Sequence, residues 1–470
     1  MNKKEFTSEI VIGLEIHTEL ATKSKLFCGC STHGSDEPNT RTCPVCLGMP
    51  GSKPVLNKKA VEYAIKLCLA LNCKISPELI FSRKSYFYPD MSKNYQISQY
   101  EIPLGTDGSL KLDSGKNVGI TRVHMEEDPA ALVHPTGMQG SAFVLVDYNR
   151  SGDPLAEIVT EPELTSPSEA RDFMKQLITI LEYLEIFDVD RCIIKADANI
   201  SIKETKYQRV EIKNITGFKE IERALMYEVQ RQKNNINEVV NETRAWDSEK
   251  GMTFSLRKKE GEEEYGYIID PDLVRIEITK DYIDSIKKDM PELAGDKLKK
   301  FTEEHGIQEE TAKILSKDKA LASMFEKVSK TVNPELAANW VRRELPKVLN
   351  YQKKTLENSG ITAEHMIDLL KAIESNKITH RIGQKIIEKL SEETFNVAEY
   401  IKKEGLEAVS DATEVKKIIE ETLKEQMAAV EQYKKGEEKA FNFIIGQIMR
   451  KTKGKAKPDL ITKLLKEILG

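Results

Sequence analysis

Val11-Ile-Gly-Leu-Glu15-Ile-His17 alternates charged and apolar side chains, and in an extended strand that spacing sends Glu15 and His17 to the same face. The pattern returns in His124-Met-Glu126-Glu127-Asp128, in Ala196-Asp197-Ala-Asn199 and in Val210-Glu211-Ile-Lys213. By the same rule His124 points with Glu126 and Asp128, Asp197 with Asn199, and Glu211 with Lys213. Strands of this kind laid side by side gather carboxylates, imidazole and a lysine on one face. Such a face repels itself unless a cation sits on it. Hard oxygen donors favour magnesium, which usually arrives with a nucleotide phosphate.

The chain has 470 residues, enough for about three domains and a large core. Lys and Arg number 71 against 76 Asp and Glu, so no global basic charge marks a nucleic-acid binder and any RNA contact must be a local patch. The N-terminus lacks the apolar stretch of a signal peptide, and no apolar run reaches the roughly 20 residues that span a bilayer. A cytoplasmic protein without membrane contact is expected. In that compartment cysteines do not read as disulfides. Cys28-Gly-Cys30 and Cys43-Pro-Val-Cys46 instead form two close-spaced pairs joined by a short loop, the pattern of a tetrahedral thiolate zinc site. Four thiolates leave no open coordination position, so the zinc would be structural. Cys68, Cys73 and Cys192 sit among apolar residues and are expected in the core.

Up to about residue 290 the sequence is strand-rich, interrupted by two helices that would cover one face of a mostly antiparallel sheet. One starts at Ser166-Pro-Ser-Glu169, an N-cap with proline at the first helical position, and carries Phe173, Leu177, Leu181 and Leu184 on one side. The other begins near Gly217, with Phe218, Ile221, Leu225 and Val229. Beyond Met290-Pro-Glu-Leu the text turns helical in period and rich in Lys and Glu. Its end, Phe441-Asn-Phe443-Ile-Ile-Gly446-Gln-Ile-Met449, leads into a basic run from Arg450 to Lys457 that is expected to touch nucleic acid. The predicted fold class is α+β: 1–293 with a zinc-binding insertion at 28–46, an all-α domain at 294–408, and a small helical tail at 409–470.

Arg83-Lys-Ser-Tyr86-Phe-Tyr88-Pro-Asp90-Met-Ser-Lys93-Asn-Tyr95-Gln-Ile-Ser-Gln99 mixes bases, aromatics and amides. Aromatic faces stack on bases and cations hold phosphates, though a core strand with exposed basic residues has the same composition. No phosphate loop of the Gly-x-x-x-x-Gly-Lys-Ser/Thr kind is present, since Gly115-Lys116 is followed by Asn117. A nucleotide would therefore rest on carboxylate-bound magnesium and basic side chains. No cysteine has an obvious catalytic base, so release of ammonia from glutamine would fall to another chain.

These strings together resemble the GatB/GatE family, components of tRNA-dependent amidotransferases. The resemblance runs nearly end to end. It includes Val11 to His17, Pro38-Asn39, Cys43 to Gly51, Arg83 to Gln99, His124 to Asp128, Val146 to Arg150, Pro154 to Val159, Asp197 to Asn199, Glu211 to Asn214, Arg231-Gln232, Phe443 to Met449 and Lys453 to Pro458. It implies a catalytic cradle of the glutamine-synthetase/guanido-kinase type, then a helical domain and a YqeY-like tail. It implies ATP-dependent amidation of Asp-tRNA(Asn) or Glu-tRNA(Gln), with a GatA-type glutaminase and a small GatC-type protein as partners. Matched position by position, it implies Glu15, His17, Glu127 and Glu211 as magnesium ligands, with Glu126 and Asp197 beside them. Arg122 and Lys213 would meet phosphate oxygens, and Tyr86, Lys93 and Tyr95 would line the pocket for the tRNA 3′ end.

Several positions depart from the family pattern. Pro129-Ala-Ala-Leu follows Asp128 where Ala-Gly-Lys is common, Asp190-Arg-Cys-Ile-Ile precedes Lys195, Thr216-Gly217 replaces Asn-Ser, and Gly266 replaces an arginine between Tyr265 and Tyr267. These departures suggest a divergent, archaeal branch of the family. A non-catalytic, zinc-stabilised tRNA-binding scaffold and a free-standing ammonia ligase for small amino acids are the alternatives.

Overall fold

The alternating segments become neighbours in one sheet. The computed structural model describes residues 8–136, 141–258, 265–408, 412–452 and 454–469. The chain divides after Leu293 into two compact units. In the first, β1 (Ile10–Glu19) leads to α1 (Lys58–Ala70), β2 (Lys74–Ile75), β3 (Glu78–Leu79), β4 (Ser82–Ser85), β5 (Tyr95–Ser98), β6 (Gly105–Lys111), β7 (Asn117–Glu127), β8 (Ala131–Val133) and β9 (Leu145–Asp147). There follow β10 (Pro154–Thr160), α2 (Pro167–Tyr183), β11 (Ile194–Ile202), β12 (Val210–Thr216), α3 (Phe218–Asn234), β13 (Glu242–Asp247), β14 (Met252–Lys258), β15 (Tyr267–Ile269), β16 (Ile276–Glu277) and α4 (Lys280–Lys288).

A nine-stranded sheet has the order β14-β13-β12-β11-β1-β10-β7-β6-β2. Its pairs are antiparallel except β12 with β13, where α3 makes the crossover that parallel neighbours require. The fold is therefore α+β, with a large, mostly antiparallel sheet. One face of the sheet is apolar: Ile12, Leu14, Ile16, Val123, Met125, Ala156, Ile158, Ala196, Ala198 and Ile212 join one core with α1, α2 and α3. The other face carries the acids.

Both expected helices form. Ser166 caps α2, its side chain accepting from Glu169 N, and Phe173, Leu177 and Leu181 are buried beneath the sheet. Helix α3 starts at Gly217, whose φ of +86° suits glycine alone, and buries Ile221 and Leu225. Helix α1 is an addition to those two. Asn57 caps it through Lys59 N and Ala60 N, and it buries Ala60, Val61, Ala64, Ile65, Leu67 and Cys68. Cys68 is thus in the core as expected, whereas Cys73 and Cys192 are only half-buried at its edge. A three-stranded sheet, β15-β4-β5, stands against the end of β7: Gln96 Nε2 donates to Glu127 O at 2.7 Å, and Met125 N donates to Gln99 Oε1 at 2.9 Å.

Among the described residues the second unit is helical, from Ala294–Glu303 to Pro458–Leu469. Its last helices share a core of Val415, Ile419, Ile444, Ile448 and Leu465. Arg450 and Lys451 close the helix Glu438–Lys451. Lys453, within the expected basic run, and residues 409–411, at the expected start of the tail, lie outside the described residues.

Phe173 is fully buried between α2 and the sheet. Phe173→Ala should cost about 3–5 kcal/mol and lower the urea midpoint of the N-terminal unit's transition, read by tryptophan fluorescence (Trp246 lies in that unit). An unchanged midpoint would show that this helix contributes little to holding the sheet.

Candidate active site

Register brings the polar side chains of the sheet into rows. His17 on β1 pairs with Glu157 on β10, and Glu157 pairs with His124 on β7. Glu15 pairs with Asp197 on β11, and Asn199 pairs with Glu211 on β12. The face therefore holds, from one side to the other, Lys213 and Glu211, Asp197, Glu15 and His17, Glu157, then Arg122, His124 and Glu126.

His17 sits at the centre. Its Nδ1 lies 3.0 Å from Glu126 Oε1 and its Nε2 lies 3.7 Å from Glu15 Oε1. Burial works against its charged form, but hydrogen bonds to Glu126 and Glu15 raise its pKa well above the usual imidazole value. Glu157 is buried, with His124 Nε2 at 3.3 Å and Arg122 Nη2 at 3.5 Å. Burial pushes its pKa up, yet His124, His17 and Arg122 together pull it well below the usual carboxylate range. On the far side, Lys213 Nζ reaches Asp197 Oδ2 at 2.7 Å and Glu211 Oε1 at 2.9 Å. Burial opposes that ammonium, and Asp197 and Glu211 raise its pKa regardless. Thr243 Oγ1 donates to Glu211 Oε2 at 3.1 Å.

Two triads are spaced to grip a cation. Glu15, His17 and Glu157 form one; His124, Glu126 and Glu157 form the other, with donor atoms within 4.8 Å of one another in each. The face also has spare bonding capacity: His124 Nδ1 and Asn199 Oδ1 are buried and have no hydrogen-bond partner. Carboxylates, imidazole and orphaned polar atoms on one face fit a cation with an anionic ligand. Of the four residues expected around magnesium, Glu15 and His17 stand together. Glu211 lies two strands away, about 9–10 Å by strand spacing. Glu127, at the end of β7, accepts from Lys93 Nζ at 2.5 and 2.6 Å and from Ile97 N at 2.8 Å. Glu157 takes its place beside His17. Pro154-Leu-Ala-Glu157-Ile-Val159 reads in sequence as a buried strand with a single acid, which hides its role; the parity of Leu155, Glu157 and Val159 was the available signal.

The small sheet brings aromatics and cations to the same neighbourhood. Burial opposes the Lys84 ammonium, while Glu126, Tyr267 and Glu157 raise its pKa. Tyr100 and Tyr267 stack with ring centroids 3.8 Å apart, and Tyr86 stacks on Tyr88 at 5.9 Å. Burial, then Asp90, pushes the Tyr86 phenol up to about 12. Arg83 lies over the Tyr95 ring at 4.5 Å and is paired with Asp270 and Asp272. Lys93 is 5.5 Å from the same ring.

Cys28, Cys30, Cys43 and Cys46 bring their sulfurs within 4.8 Å of one another, with Cys43 and Cys46 3.9 Å apart. Tetrahedral bonds of about 2.3 Å place sulfurs about 3.8 Å apart, so the cluster fits a structural metal ion. The thiols share protons unequally. A hydrogen bond from Cys28 draws the Cys46 thiol down to about 5 against burial, while the same bond, with burial, pushes Cys28 far up.

The family model described as the GatB/GatE catalytic domain matches residues 10–284, and one described as a GatB domain matches residues 323–469. The GatB component of the aspartyl/glutamyl-tRNA(Asn/Gln) amidotransferase of Thermodesulfovibrio yellowstonii is 42% identical over 474 residues, covering 98% of this chain and 99% of that protein. The protein of the same name from Caldanaerobacter subterraneus subsp. tengcongensis is 42% identical over 475 residues, and that from Trichlorobacter lovleyi is 43% identical over 473. Both are covered to 99%, by 98% of this chain. These relatives are bacterial, so the archaeal placement gains nothing from them.

Beside the acid face, Asp153 has a buried Oδ1 without a hydrogen-bond partner. Burial pushes its pKa up to about 8, with Lys25 opposing and Asp128 and Glu19 adding to the shift. Unfolded, it would titrate near about 3.9. Between about pH 4 and 8 the folded chain therefore keeps a proton that the unfolded chain has lost, and stability falls as pH rises through that window. Asp153→Asn should flatten the decline of the urea midpoint between about pH 5 and 8.5. An undiminished slope in the variant would assign the decline to other groups.

Proposed function

The chain belongs to the GatB/GatE family, and we propose that it works as the GatB component of an aspartyl/glutamyl-tRNA(Asn/Gln) amidotransferase, carrying out transamidation of misacylated tRNA. The observation that carries the reading is the convergence of Glu15, His17, Glu126 and Glu157 on one sheet face, inside the segment that matches the family's catalytic domain. We read this sheet as a cradle of the glutamine-synthetase/guanido-kinase type. The helical part supplies a middle domain and, from about residue 409, a YqeY-like tail whose basic end meets the tRNA.

The chemistry follows from the substrate. The side-chain carboxylate of Asp-tRNA(Asn) or Glu-tRNA(Gln) is a poor acceptor for ammonia, because oxide would have to leave. Transfer of the γ-phosphoryl group of ATP to a carboxylate oxygen releases ADP and gives an acyl phosphate. Ammonia then attacks the acyl carbon and loses a proton, phosphate leaves, and the amide remains. In such a transfer the protein positions reactants and neutralises charge. Glu15, His17, Glu126 and Glu157 would hold magnesium, with Glu127 and Glu211 at its flanks. Bound there, magnesium supplies charge neutralisation at the phosphates. Arg122, Lys213 and Lys84 face the phosphate oxygens, Asp197 holds Lys213 in place, and Tyr86, Lys93 and Tyr95 receive the 3′ end. Ammonia comes from a GatA-type glutaminase, with a small GatC-type protein completing a cytoplasmic heterotrimer. The four-cysteine cluster holds zinc.

In the reconstituted complex, Glu157→Gln should lower tRNA-dependent ATP hydrolysis about 10²-fold while tRNA affinity stays within about threefold, since a charge aimed at the reacting centre is lost and the tRNA-binding surface is not. Unchanged hydrolysis would favour the scaffold reading. Cys46→Ser should lose the zinc found by elemental analysis in the parent chain; equal zinc in both would place the metal elsewhere.

A further inference from the structure

The cysteine cluster lies against the candidate active site. Its turn is closed by Leu47 N donating to Cys43 O at 3.0 Å and Gly48 N donating to Val45 O at 3.1 Å, so the positions of Cys43 and Cys46 set the turn's shape. The turn touches the loop between β4 and β5 at two points. The Cys46 carbonyl accepts from Ser92 Oγ at 2.8 Å, and also from Ser151 Oγ at 3.2 Å. At Gly48 the backbone has φ +67°, and a Cβ there would lie 2.4 Å from Lys93 Cγ and 3.1 Å from Lys93 Cα. A side chain at 48 would have to displace Lys93. Lys93 in turn donates to both carboxylate oxygens of Glu127, and the pair is nearly out of solvent, with side chains 10% and 6% exposed.

We propose that the cysteine knuckle positions the active site: Gly48 and the Cys46 carbonyl clamp Ser92 and Lys93, and Lys93 thereby fixes Glu127 at the end of β7. A long lysine side chain samples many rotamers when free, and packing against Gly48 restricts it. The ion pair then orients Glu127 from one side while Ile97 N orients it from the other. The metal-site thiols set the turn, the turn sets Lys93, and Lys93 sets the carboxylate. Lys93 is the residue through which the knuckle acts, and Gly48 and Ser92 are positioning residues. The proposal rests on the reading of this cleft as the site of ATP-dependent amidation.

The test uses the full chain assembled with its partner proteins. Gly48→Ala should keep its metal content and bind mischarged tRNA within about twofold of the parent. Its kcat for ATP hydrolysis should fall about tenfold with little change in KM, the size of effect typical of lost orienting contacts. Lys93→Met should show at least that loss, and adding Gly48→Ala to it should cost nothing more. Independently of turnover, amide hydrogen exchange across residues 92–97 should quicken in Gly48→Ala and in the milder Ser92→Ala, which carries the test if the first variant does not fold. Parent-like exchange in both variants, or additive losses in the double variant, would overturn the proposal. A parent complex that does not hydrolyse ATP would instead defeat the functional reading, and the exchange measurement would still decide whether the knuckle holds the loop.

Discussion

Glu15, Glu126, Glu157, Asp197 and Glu211 share one face of a sheet, and the N-terminal unit depends on how their mutual repulsion is answered. Strand geometry forces the sharing: the register that buries Leu14, Ile16, Met125, Ile158 and Ala198 against the helices turns these acids to the opposite side. The answer within the chain is interleaved positive charge. His17 stands between Glu15 and Glu126, His124 and Arg122 attend Glu157, and Lys213 bridges Asp197 and Glu211. The opposed shifts on His17 and Glu157, one raised and one lowered against the pull of burial, express the same fact. Each favours the charged form because the other is charged.

What the sequence discloses of this site is set by the range of the signal. Parity is local, so Glu15 with His17 and Glu211 with Lys213 are readable from two residues' separation. Strand order is not local. Nothing in Pro154–Thr160 says that β10 lies between β1 and β7, which is why Glu157 is hidden although it takes part in both cation-compatible triads. Glu127 misleads in the opposite way. Its place in an acidic run suggests the site, but as the neighbour of Glu126 it has the other parity, and it meets Lys93 and Ile97 N. The helices show a similar limit. Ser166-Pro-Ser-Glu169 announces α2 by its cap, whereas α1 follows a cysteine-rich loop whose metal pattern overshadows Asn57 and the apolar spacing after it.

The positions that depart from the family pattern are accommodated by backbone contacts. Where Pro129 and Ala130 follow Asp128, Arg150 donates to both of their carbonyls, at 3.1 and 3.2 Å, and pairs with Asp128 Oδ2 at 2.9 Å. The segment is held by a side chain from the loop before β10 whatever its own side chains are. At Thr216-Gly217 the change installs a glycine at a left-handed backbone position, a substitution the geometry favours. Gly266 offers its carbonyl to Ser85 N at 2.8 Å and so keeps β15 beside β4. None of these positions is among the acids and cations of the sheet face.

In the proposed reaction, one face has to serve two steps of different charge. Phosphoryl transfer brings a crowd of phosphate oxygens, and a face with carboxylates to hold a cation and lysine and arginine on its borders is arranged for them. The attack of ammonia that follows needs a neutral nucleophile beside an activated acyl group with little free water, since water would hydrolyse the acyl phosphate. The small β15-β4-β5 sheet is suited to the second demand. It carries Tyr267, stacked on Tyr100, along with Tyr86 and Lys84, so that one layer supplies both apolar cover and a cation near Glu126 and Glu157. That layer is attached to the main sheet chiefly where β5 meets the end of β7, through Glu127 and Gln99, the same end at which Lys93 and the cysteine knuckle meet. A disturbance of the knuckle should therefore reach the cover of the site before it reaches the acids themselves, which are fixed by the register of the large sheet.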